Sequence, residues 1–158
     1  MKKAIALLLA LVMVFALCAC GGGGDSASGD KVVKIGVFEP ASGDSGAGGK
    51  KEMLGMQYAN QETPTVEIGG ETYKVELVYS DNGSDSAKAV SAASKLVNEK
   101  VSLVLGSYGS GVSIAASDTF KQAGIPAIGV TCTNPNVTAG NSHYFRICFL
   151  DPFQGTVL

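Results

Sequence analysis

The sequence contains no tryptophan and a single histidine, His143, among its 158 residues. One imidazole without clustered cysteines and acids leaves no case for a transition-metal site. It also leaves no Ser/His/Asp arrangement for nucleophilic catalysis. Charge is sparse and slightly acidic, with 12 Lys and Arg against 14 Asp and Glu. A nucleic-acid partner usually demands a basic stripe, and none is present. No apolar run reaches membrane-spanning length: residues 4–17 are unbroken, but a spanning helix needs about 20. Phosphate loops are missing as well. Gly106-Ser107-Tyr108-Gly109-Ser110-Gly111 does not have the glycine spacing of a dinucleotide fingerprint. Around Gly48-Gly49-Lys50-Lys51, Asp44 replaces the first P-loop glycine and Lys51 stands where Ser or Thr must hold magnesium. No cofactor and no catalytic residue is therefore expected. A Rossmann-type transferase is the enzyme alternative that these failed motifs disfavour.

What is present begins at the N-terminus. Met1-Lys2-Lys3 is a short positive start, followed by the apolar run and small residues, which together describe a secretory signal. The run ends Leu17-Cys18-Ala19-Cys20 before four glycines. That ending resembles the lipobox of bacterial lipoproteins. The resemblance implies that residues 1–19 are removed and that Cys20 becomes a lipidated N-terminus on the outer face of the cytoplasmic membrane. An ordinary secretory signal containing two cysteines is the alternative. Loss of Lys2 and Lys3 leaves ten basic against fourteen acidic residues. Residues 20–30, rich in Gly, Ser and Asp, read as a flexible polar tether. Folding is expected over residues 31–158. Two thiols then remain, Cys132 and Cys148, too few for a disulfide framework and expected to be buried small residues, with a Cys132–Cys148 bridge as the alternative in an exported protein.

Residues 31–38 are β-branched and aromatic and predict a strand. Residues 39–49, with Pro40 and many glycines and serines, predict a loop. Residues 50–60, with Met53, Leu54, Met56 and Tyr58, predict a one-sided helix. Residues 66–68 and 73–79 alternate about Gly69-Gly70 and predict a hairpin. A helix is expected over 84–100, capped by Ser84 or Ser86. A buried strand over 101–106 follows, then a Gly-Ser turn at 107–111. A helix over 112–123 closes at Gly124. A fourth core strand over 125–130 carries Pro126 near its start. Strands and helices in alternation predict an α/β doubly wound parallel sheet. Ligands of such sheets bind beyond the strands' carboxyl ends, here at residues 39–49, 107–111 and 131–136. Asp44 is the one isolated acid expected on these three loops. Free N–H groups at the helix start near Val112, with the Ser110 hydroxyl, suit a carboxylate. Thr131-Cys132-Thr133-Asn134-Pro135 offers acceptors for an ammonium. Helix and turn capping is the plainer reading of Ser110 and Thr133. A core or rim aromatic is the plainer reading of Tyr108.

Several ordered segments resemble the branched-chain amino-acid-binding proteins of leucine/isoleucine/valine-binding type. They are Lys34-Ile35-Gly36-Val37, Ala41-Ser42-Gly43, residues 104–110, Gly124-Ile125-Pro126-Ala127-Ile128, residues 131–135, Tyr144-Phe145-Arg146 and residues 151–155. The resemblance implies a type I periplasmic-binding-protein fold, of which residues 31–158 are the first lobe only. It implies non-catalytic capture of an amino acid or similar zwitterion, delivered to an ABC permease by hinge closure. A sensor domain of the same fold is the alternative. Position by position, Ser110 matches the carboxylate-binding serine, Thr133 the threonine contacting carboxylate and amino group, and Thr131 the carbonyl that takes the ammonium. Tyr108 and Gly109 fall on the pocket wall, and Ser42 in the first ligand loop. Gly48 departs from the aromatic that commonly covers the side-chain pocket, which implies an open pocket there. Cys132 and Cys148 inherit no bridge.

Overall fold

The computed structural model describes residues 31–158; the signal, Cys20 and the tether lie outside them. Four helices and a six-stranded sheet alternate along the chain: β1 (Val32–Glu39), α1 (Gly46–Glu62), β2 (Thr65–Ile68), β3 (Glu71–Asp81), α2 (Ser86–Asn98), β4 (Leu103–Leu105), α3 (Ser110–Gln122), β5 (Ala127–Gly129), β6 (Tyr144–Arg146) and α4 (Asp151–Val157). The strand order is β2-β3-β1-β4-β5-β6. Every pairing is parallel except the β2–β3 hairpin at one edge. From β1 the chain moves one way to β3 and then back across to β4, so the winding reverses at the β1 and β4 ends. This is the doubly wound sheet expected from the alternation, with its switch point beside the ligand loops.

Side-chain alternation along the strands assigns the two faces. Phe38, Val104, Ala89, Ala93, Leu96, Ala116 and Phe120 form the closed core under α2 and α3. Phe38 and Phe120 meet edge to face at 5.5 Å. A side chain on Gly36 would press at 3.1–3.2 Å on Leu96, Val101 and Val104, so the bare backbone lets α2 sit close. The opposite face carries α1. Beside it Val33, Ile35, Val75, Leu77, Leu103 and Leu105 line an apolar trough of about 430 Å³.

Several boundaries differ from the sequence reading. Helix α1 starts at Gly46, inside the expected loop; at Gly49 a Cβ would strike the Pro40 carbonyl at 2.2 Å, so this glycine lets the first turn pack against the end of β1. Its inward residues are Gly49 and Met56, with half-buried Glu52 between them, whereas Leu54 and Tyr58 are exposed. Asp85, not a serine, caps α2: its carboxylate accepts the Ala87 N–H at 2.8 Å. The carboxylate satisfies a free N–H and its charge suits the positive end of the helix dipole, while the Ser84 hydroxyl is turned to the Ser42 carbonyl. Strand β6 was not expected from periodicity. Cys132 is buried and Cys148 half-buried, both as free thiols.

Candidate functional site

The loops after β1, β4 and β5 converge at the start of α1. They enclose an open cavity of about 610 Å³ whose wall includes Asp44, Ser45, Gly48, Lys51, Glu52, Tyr108 and Thr131. Gly106 makes the approach possible. Its φ of +118° is in glycine territory, and a Cβ there would lie 2.2 Å from the Phe38 carbonyl. Buried Tyr144 fixes the same turn by donating its hydroxyl to the Gly106 carbonyl at 2.9 Å, and burial pushes that phenol up.

Helix α3 begins at Ser110, two residues before the expected start. Gly109 is its N-cap and supplies no side-chain hydrogen bond. The first N–H groups of the helix consequently face outward with the positive end of its dipole. Ser110 Oγ accepts the Asn134 N–H at 3.3 Å, which ties the second ligand loop to the third. A hydroxyl that accepts this way still has its own proton to donate. Ser110 and the α3 terminus therefore form a donor set suited to a carboxylate.

The third loop is held from behind by Arg146 of β6, which the sequence reading did not single out. Its guanidinium donates to the carbonyls of Cys132 and Asn134 at 3.0 Å each, to Pro135 at 3.2 Å and to the Thr138 hydroxyl at 2.9 Å. The Thr133 carbonyl accepts from the Asp151 N–H at 3.1 Å. The Thr131 carbonyl is not among these captured groups. An arginine fork with five donors suits several converging carbonyls, but nothing in a three-residue Tyr-Phe-Arg segment announces that role.

Two expectations need correction. The pocket at Gly48 is not open: the Tyr108 ring lies over this glycine, so near that a Cβ at Gly48 would stand 2.5–2.8 Å from three ring atoms. An aromatic from the second loop thus occupies the space that an aromatic at position 48 would take. Asp44 is also not the only acid at these loops. Glu39 ends β1 with 1% exposure, and Glu52 lines the cavity from α1. The Tyr108 N–H donates to Glu39 Oε2 at 2.8 Å, and the Thr131 hydroxyl donates to Glu52 Oε1. A helix face through Gly49, Glu52 and Met56 was the available signal for Glu52.

Ser42 stands apart from this cluster. Its hydroxyl donates to Asp81 Oδ2 at 2.7 Å, while Oδ1 receives the Ala41 and Gly83 N–H groups at 2.8 Å each. Partial burial works the other way, but these donors together hold the Asp81 carboxyl below its ordinary value. The bracket fixes the first loop to the end of β3.

The chain and its fold have counterparts among known proteins. Residues 32–153 match the model of a family described as periplasmic binding protein. The chain is 35% identical over 136 residues to Leu/Ile/Val-binding protein homolog 1 of Brucella abortus, covering 85% of this chain and 36% of that protein. It is 37% identical over 128 residues to an amino acid binding protein of Pseudomonas aeruginosa, covering 79% and 34%. Among solved structures, leucine binding protein LivK from Thermotoga maritima superposes with a TM-score of 0.74 at 38% identity, over 80% of this chain and 35% of that one. LivJ from Streptococcus pneumoniae, in complex with isoleucine, gives 0.68 at 34% identity, over 77% and 35%. The chain thus spans about a third of the length of the relatives it matches. With the family model covering residues 32–153 and this fold, the chain belongs to the periplasmic binding protein family.

Proposed function

We propose that this protein is the extracytoplasmic solute-binding subunit of an ABC importer and that it captures an amino acid or similar small zwitterion. One observation carries the reading: the unfilled N-terminus of α3 with Ser110 stands hydrogen-bonded to the loop that carries Thr131 and Thr133. This hydrogen bond supports a reading in which donors for a carboxylate and acceptors for an ammonium sit on adjoining segments. The Ser110 hydroxyl and the α3 amides hold the carboxylate, Thr133 contacts carboxylate and amino group, and the Thr131 carbonyl takes the ammonium. Tyr108 and Gly109 shape the wall beside the ligand's side chain, and Ser42 acts at the first loop. A second lobe closes over the bound ligand by hinge motion, and the closed form docks on the permease. Cys20 carries diacylglycerol, and two acyl chains give the stable attachment that one does not.

Thermal-shift screening of the full-length mature protein against the common amino acids, short peptides, amides and urea tests the reading. An amino acid at one hundred times its Kd raises stability by about 2.7 kcal/mol, a readily measured shift. A protein stabilised by none of the amino acids contradicts it. For the anchor, Cys20→Ser is expected to move the protein from the membrane to the soluble or medium fraction; retention at the wild-type level contradicts lipidation.

A further inference from the structure

The cavity holds a feature that backbone recognition of an amino acid does not use. Glu39 and Glu52 meet around Tyr108: its N–H donates to Glu39 Oε2 at 2.8 Å, and the Thr131 hydroxyl, which donates to Glu52 Oε1, also lies 3.5 Å from the Tyr108 carbonyl oxygen. Glu39 Oε1 and Glu52 Oε2 are buried with no hydrogen-bond partner, while the remaining oxygens accept the Tyr108 N–H and the Thr131 hydroxyl. One proton between the two orphaned oxygens satisfies both.

We propose that Glu39 and Glu52 share a single proton and so clamp the second and third ligand loops to α1, making Glu39 a positioning residue whose protonation sets ligand affinity. The inference rests on the reading of this cavity as the ligand site. The linkage runs Tyr108 N–H, Glu39, Glu52, Thr131 hydroxyl, and joins the β1 end, α1 and both loops. Burial first, then the neighbouring Glu52 carboxyl, hold the Glu39 carboxyl far above the usual carboxylate range, against a smaller opposing pull from the Tyr108 N–H. The charged groups around the pair leave that state intact. Asp81 on the neighbouring strand turns its carboxylate to the Ala41, Ser42 and Gly83 amides. Tyr144 of β6 donates to Gly106 and stays neutral. The loop after β4 presents a backbone N–H, and Lys51 and Asp44 stand on the cavity wall beside Glu52. When the shared proton leaves, two carboxylates face each other under low solvation, and the contact must open. Tyr108 and Thr131 are then released together.

The test uses the full-length mature protein and its Glu39→Gln variant. A glutamine accepts from Tyr108 through its carbonyl and donates to Glu52 through its amide, reproducing the clamp without a titrating proton. Carbon-13 titration of labelled glutamates, without ligand, should show a carboxyl in wild type that ionises far above about 4.3 and is missing in the variant. The sign for stability follows. The native state keeps a proton that the unfolded chain loses near that value, so wild-type stability falls relative to the variant as pH rises above it. Hydrogen exchange over residues 107–111 and 131–136 should accelerate at high pH more in wild type than in the variant. L-isoleucine is the binding probe, measured by calorimetry at about pH 6 and about pH 10, where a carboxyl raised to about 9 has lost most of its proton. Its affinity should fall about tenfold more in wild type than in Glu39→Gln, which cancels any change in the ligand's own amino group. A carboxyl titrating only in the ordinary range, or matching pH profiles of exchange and affinity in the two proteins, overturns the proposal. Failure of wild type to bind isoleucine at either pH would instead count against the amino-acid reading, and the ligand-free titration and exchange would still decide the clamp.

Discussion

Glycine at position 48 and tyrosine at position 108 act as one unit, since the ring lies where any side chain on residue 48 would begin. Gly48→Ala should displace the ring and change the relative affinities for amino acids of different side-chain size. Its stability should change little, because Tyr108 is 43% exposed. Calorimetry across small, branched and aromatic amino acids checks this, and an unaltered preference order contradicts the assignment of Tyr108 to the side-chain wall. At this scale the legible residues were those in short loops between recognisable strands and helices. Thr131 and Thr133 stand on the loop after β5 and Ser110 at the start of α3, positions visible from the strand and helix pattern, while their contact with a ligand is a proposal. Glu39 was not legible, because a carboxyl at a strand end reads as solvated unless its neighbours are known. Glu52 was hidden among the lysines of α1, where a polar residue on the inward stripe looks like surface. The closeness of Gly48 to Tyr108, sixty residues apart, follows from the sheet order and from no local pattern.

At the level of elements, helix ends and short strands decide how rigidly the loops are presented. Asp85→Ala removes the N-cap of α2 and should cost about 1 kcal/mol in chemical denaturation, with no change in ligand affinity. Phe120→Ala empties the centre of the core and should cost about 3–5 kcal/mol. Arg146→Met should act differently from both. Its guanidinium holds carbonyls of the third ligand loop, so the variant should lose affinity for every ligand alike while keeping the β5–β6 pairing. A selective change of preference would place Arg146 nearer the ligand side chain than the hydrogen bonds indicate. Long periodic elements were legible from pattern: the hairpin about Gly69-Gly70, α2, α3 and the left-handed Gly124 are all present, with the ends of α2 and the start of α3 shifted by about two residues. The start of α1 and the three residues of β6 were not. Glycines disfavour a helix locally, yet here their lack of a side chain is what allows α1 to pack. Three residues are too few to show a period of two, so β6 exists by virtue of its partner β5.

Over the whole molecule, one sheet face is closed by α2 and α3 and the other keeps an apolar trough beside α1. Phe149 and Phe153 add exposed apolar surface near the end of the chain. The relatives are about three times as long as this chain. Residues 20–158 expressed alone should bind the amino acid far more weakly than the complete protein, since a half-site leaves the ligand's charges in water, where they interact weakly. Equal affinity of the two forms by calorimetry would mean that no cleft closure is involved. The central claim, that this lobe grips the part common to all amino acids, is tested by Ser110→Ala in the full-length mature protein, titrated with every amino acid that the wild type binds. Loss of a hydrogen bond to a charged group costs about 1.5–3 kcal/mol, so affinity should fall by about one to two decades, and by a similar factor for each ligand. Wild-type affinities in Ser110→Ala, or a loss confined to one side-chain class, would contradict it.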